Sequence, residues 1–96
     1  MNDEQLARNL KSVGMTCFVE YFEYFDGNMS REDVIEKLKG TTTFTDKSCV
    51  SRTSHARSII KANAAKKAIQ MVISSESPKI SEVTRRRAKE LLSLNG

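Results

Sequence analysis

Residues 48–67 read SCVSRTSHARSIIKANAAKK, and the periodicity of this run decides the fold. Placed at about 100° per residue over 46–62, Cys49, Thr53, Ala56 and Ile60 share a sector of roughly 60°, the width of a core-facing seam. Lys47, Ser51, Ser54 and Ser58 fall on the opposite side. Arg52 and His55 occupy one flank with Ser48, and Arg57 occupies the other. The spacing predicts a long central helix ending at Asn63, a residue type that tolerates the left-handed conformation.

Helical signals continue outward in both directions. Asn2 with Gln5 makes a capping-box pattern, Leu6, Leu10 and Val13 keep a 3/4 spacing, and Gly14 follows, predicting a helix over 3–13. Ser30-Arg31-Glu32-Asp33 caps a second helix over 31–39, with Val34, Ile35 and Leu38 inward and Gly40 as its stop. On the C-terminal side, 64–75 buries Ala65, Ala68, Ile69 and Val72. Ser77-Pro78 then interrupts, and Ser81 opens a terminal helix with Val83, Ala88, Leu91 and Leu92 as its apolar set.

The segment 16–25 admits two periods. As a helix it aligns Phe18, Phe22 and Phe25 and turns Glu20 and Glu23 away; as a strand it would group Glu23 with Val19, Tyr21 and Phe25. A carboxylate among apolar residues disfavours the strand. Thr41–Thr45 reads as a connecting loop packed by Phe44, and no hairpin suited to a wing is present. The chain is therefore expected to be all-α, a compact bundle of about five to six short helices in one domain spanning 1–96. The pair 31–39 and 46–62 resembles the helix-turn-helix class in outline. It departs from that class in a longer connection, Gly40 to Thr45, and in Glu36, where that class usually holds a small residue.

Charge is divided unevenly along these helices. Residues 1–40 hold eight acids against five bases, whereas 41–96 hold eleven bases against four acids. With a pI near 9.3, that asymmetry points to a polyanionic partner, duplex DNA first. Small hydroxyl side chains would let the central helix approach a groove closely, and arginine reaches phosphates or guanine edges. The nucleic-acid-binding residues expected on this basis are Lys47, Ser51, Arg52, Ser54, His55, Arg57, Ser58 and Lys61. Lys66 and Lys67 extend the patch, and Arg85, Arg86 and Lys89 form a second cluster suited to phosphate contact.

Other chemistries find no support in the pattern. His55 is the sole histidine and lies about 240° around the helix from Cys49, so the two cannot pair as base and nucleophile. No ligand spacing marks a metal site, and no glycine-rich loop marks a phosphate-binding cofactor. An enzyme is not expected, nor a cofactor. The acidic start MNDEQLARNL is unlike a secretory signal, and no run approaches the roughly 20 apolar residues that span a bilayer. The expected setting is cytoplasmic, regulatory and without a membrane partner, with Cys17 and Cys49 reduced. The aromatic residues Phe18, Tyr21, Phe22 and Phe25 are expected at a homodimer interface, because a small core would leave them under-covered. The alternative function is a protein-interaction module acting through 16–25 and the polar face of 46–62.

Overall fold

The chain enters its first helix through a reciprocal cap. The Gln5 amide donates to Asn2 Oδ1 at 2.8 Å and the Asn2 amide donates to Gln5 Oε1 at 3.0 Å, satisfying two of the amides that a helix start leaves orphaned. The computed structural model describes residues 1–95, and the regular elements among them are all helices. α1 spans Asp3–Val13, α2 Met15–Glu20, α3 Phe22–Asp26, α4 Arg31–Thr41, α5 Asp46–Lys61, α6 Ala65–Ser74 and α7 Glu82–Asn95. The bundle thus has seven helices among the described residues, slightly more than the expected five to six. The extra one arises at Tyr21, whose φ of −110° and ψ of 19° split the aromatic segment in two.

That break decides where the phenylalanines go. Each short helix aims its own aromatic residues inward, and Phe18, Phe22 and Phe25 are only 0%, 5% and 2% exposed. Phe18 meets Phe22 edge-on at 5.5 Å and Phe25 in a stacked arrangement at 6.4 Å, distances at which ring pairs attract. The expected homodimer surface of Phe18, Phe22 and Phe25 is corrected accordingly: these side chains are core. Tyr21 is half-buried and stacks on Tyr24 at 5.8 Å.

α4 starts on Ser30, whose hydroxyl accepts from the Asp33 amide at 3.1 Å. It does not stop at Gly40 but runs on to Thr41. Thr42 ends it, directing both its amide (2.9 Å) and its hydroxyl (2.6 Å) to the Leu38 carbonyl. The link to α5 is consequently only residues 42–45, with Thr45 capping the Ser48 amide at 3.1 Å. α5 is packed by α1, α4, α3 and α6. Its buried residues are Cys49, Thr53, Ala56 and Ile59. Ile60 is half-buried, because α1 extends the covered arc round to Ile59.

Asn63 turns the chain at φ 57°. Its amide reaches the Ile60 carbonyl and the Ala64 amide reaches the Ile59 carbonyl, each at 3.0 Å, the paired bonds of a Schellman ending. α6 then buries Ala68, Ile69 and Val72, with Ala64 buried and Ala65 half-buried at its start. α7 packs on α6 and α2 through Thr84, Ala88 and Leu91, so Val83, expected inside, is 74% exposed. One contiguous core drawn from all seven helices results, with a radius of gyration of 12.4 Å, close to the roughly 12.5 Å of compact packing at this length. Among the described residues, no helix is long and apolar enough to cross a membrane.

Candidate nucleic-acid interface

The only strip of α5 left open runs through Lys47, Val50, Ser51, Ser58 and Lys61, with Ser54 half-covered. At about 1.5 Å per residue it is about 21 Å long. Lys47, Ser51, Ser54 and Ser58, placed opposite the seam by the wheel, are thus exposed or half-covered, and Lys61 is exposed beside them. The flank of Arg52 and His55 is covered instead, because a helical wheel gives a side chain's direction and not the neighbour waiting there, whereas Arg57 on the other flank stays half-exposed.

On one flank that neighbour is α1. Arg52 donates from Nη1 to the Val13 carbonyl at 2.6 Å and from Nε to Ser48 Oγ at 2.9 Å. Its guanidinium lies 3.9 Å from the Phe44 ring centroid, within cation–π range. His55 Nδ1 sits 2.8 Å from Asn9 Oδ1. The Asn9 amide nitrogen is fixed by donation to the Gln5 carbonyl at 2.8 Å, so Oδ1 faces the ring and accepts from Nδ1. Arg52 and His55 are thus corrected from groove-reading to helix-pinning residues.

On the other flank, α4 and the turn before it form a cleft of about 550 Å³ against the C-terminal half of α5. Arg31, Arg57 and Lys61 supply its positive charge, Asp26 a negative one, Ser54 and Ser58 its hydroxyls, and Ile60 apolar surface. Arg31 Nη2 donates to Ser54 Oγ at 2.9 Å, and Arg57 Nη1 to the Met29 carbonyl at 3.1 Å. Most N–H groups of both guanidiniums stay available. Ser54, accepting from Arg31, keeps its own proton for an outside acceptor. Ser58 does not, since its hydroxyl donates to the Ser54 carbonyl at 3.0 Å.

Arg31 was not among the residues the sequence nominates. A signal exists all the same: a cation in the first turn opposes the helix dipole, so a different role must select it there.

The remaining basic residues divide into engaged and free. Lys67 is ion-paired with Asp3, and Arg87 with Glu23 and Glu90. Arg85, expected to project outward, is half-buried; it donates to the Ser75 carbonyl at 2.8 Å and pairs with Glu82 at 3.0 Å, fastening α7 to the 75–77 loop. By contrast Arg31, Lys47, Arg57, Lys61, Lys66, Arg86 and Lys89 take part in none of the ion pairs found within 4.0 Å among the described residues, as is also true of Lys11, Lys37 and Lys79 elsewhere on the surface. Lys66 lines a hollow of about 240 Å³ that shares Asp26 and Ile60 with the cleft. Arg86 and Lys89 sit apart, on the outer face of α7.

A larger groove of about 1110 Å³ lies between the end of α1, α2 and the 41–44 and 75–80 loops. Met15, Tyr21, Phe44 and Ile80 give it apolar surface, and Lys11 and Lys79 stand at its edge. Cys17 reaches it, but burial pushes that thiol up to about 11 against the opposing pull of Arg52, so it carries no thiolate at neutral pH. Compared with family models, curated proteins and solved structures, the chain matches none.

Proposed function

We propose that this protein binds nucleic acid, chiefly through phosphates, along the open strip of α5 and the cationic cleft beside it. The observation that carries this reading is the set of cations on that face, Lys47, Arg57, Lys61 and Arg31, none of which is neutralised by a carboxylate within 4.0 Å among the described residues. Leaving them unpaired favours an external anion over internal stability. The engagement of Arg52 and His55 in packing shifts the expectation away from base-edge readout and toward sequence-tolerant contact. Arg86 and Lys89 on α7 form a separate, weaker phosphate contact. Catalysis is no part of this proposal.

Titration of duplex DNA at two salt concentrations tests it. Affinity should fall at least tenfold between about 50 and 200 mM salt when three or more phosphates are engaged. No binding at the lower salt would remove the reading. A protein-binding module is the second reading, favoured by the groove of Met15, Tyr21 and Phe44 with Lys11 and Lys79 at its edge. It suits a partner segment that presents apolar and acidic side chains together. There Tyr21→Ala would abolish binding and nucleic acid would not compete.

A further inference from the structure

The cleft beside α5 has a charge and shape that a through-running backbone does not need. Arg31, Arg57 and Lys61 contribute three positive charges and Asp26, also in the lining, one negative charge, a net of +2. A phosphodiester carries −1; a phosphate monoester carries about −1.5 to −2 at neutral pH. Asp26 is exposed and forms no ion pair within 4.0 Å among the described residues, so it does not quench the three cations by contact. The hollow holds about 550 Å³, within the roughly 300–1,000 Å³ of small-ligand sites, and the half-buried Ile60 offers apolar surface next to the charged rim.

We propose that this cleft binds the terminal phosphate of a nucleic-acid strand, a monoester, with the end nucleotide resting against Ile60. Arg31 and Arg57 present the planar forks that suit phosphate oxygens. The Ser54 hydroxyl, polarised by Arg31, donates a further bond, and Lys61 closes the charge. Ser51 and Lys47 lead away along α5 and meet the following phosphates. The inference rests on the nucleic-acid reading for the strand itself, while the cleft supplies the preference for its end.

The test compares a dye-labelled duplex in which one strand carries a terminal phosphate with the same duplex in which that strand ends in a hydroxyl, by fluorescence anisotropy at low salt. The phosphorylated duplex should bind about tenfold tighter, the worth of one charge-assisted contact set. Arg31→Ala should abolish that ratio, and Asp26→Asn, which removes a repulsive charge, should raise it. Circular dichroism melts confirm that both variants fold; Arg31→Lys, which keeps the charge without the fork, should retain only part of the preference. Equal affinity for the two duplexes overturns this inference and leaves the nucleic-acid reading standing. Failure to bind either duplex overturns both.

Discussion

The Arg52 guanidinium donates to the Val13 main-chain carbonyl at 2.6 Å, joining the last residue of α1 to the middle of α5. With Ser48 and Phe44 it forms a polar joint at the edge of the core. Arg52→Ala is expected to lower the unfolding free energy by about 2 kcal/mol, the sum of a charged hydrogen bond and a cation–π contact. Arg52→Lys should recover less than half of that, since an ammonium cannot serve all three partners. Urea titration measures both. A variant as stable as the parent would show the joint to be ornamental.

Gly14, next to that carbonyl, holds φ at 91°, and a Cβ there would come within 2.8 Å of Arg52 Nη1. Gly14→Ala should therefore cost about 1–3 kcal/mol, from backbone strain and a displaced guanidinium together. Gly40 is the opposite case, a helical glycine with open space around an added Cβ. Gly40→Ala should stabilise by about 0.5–1 kcal/mol. Thermal melts of the pair should move in opposite directions.

At the end of α5, Asn63 adopts φ 57°, where a branched side chain clashes with the following carbonyl. Asn63→Val is expected to lose about 1–2 kcal/mol, whereas Asn63→Gly should lose nothing measurable. The order of melting temperatures, Gly at or above Asn and both above Val, checks the Schellman ending directly.

Such positions also mark how far the sequence speaks. Leu6, Leu10 and Val13 and the turn at Asn63 follow from spacing, because each depends on its own helix alone, whereas the burial of Phe18, Phe22 and Phe25, expected at an interface, depends on the break at Tyr21 and on the helices that cover them. Arg52, His55 and Ile59 do not, because α1 arrives from about 40 residues away to cover a flank that the wheel leaves blank. Val83 fails for a local reason. The Thr84 hydroxyl is satisfied by Ser81 Oγ at 3.1 Å, so threonine, not valine, takes the buried position with Ala88 and Leu91. In the cleft, Lys61, Ser54 and Arg57 were legible from their face, but Arg31 belongs to another helix and only tertiary packing brings it to Ser54.

Cys17 gives a pH dependence of definite sign. Burial raises its thiol from 9.0 to about 11 in the folded chain, so the folded state holds this proton more tightly than the unfolded one. The associated stability is complete below pH 9 and is lost as pH rises toward 11. Urea midpoints should accordingly fall across that window, and Cys17→Ser should flatten the fall. At pH 8, thiol reagents should label the folded chain far more slowly than a free thiol.

The central claim is that unpaired cations beside α5 meet phosphates, and the salt dependence of binding tests it most directly. Affinity for a duplex of about 20 base pairs is measured from about 50 to 200 mM salt for the parent and for a variant combining Arg31→Gln, Arg57→Gln and Lys61→Gln. The account predicts a log–log slope flatter by about 2–3 units in the variant, near 0.9 for each phosphate that is no longer neutralised, while Arg52→Gln leaves the slope unchanged. An identical slope in parent and triple variant would contradict it.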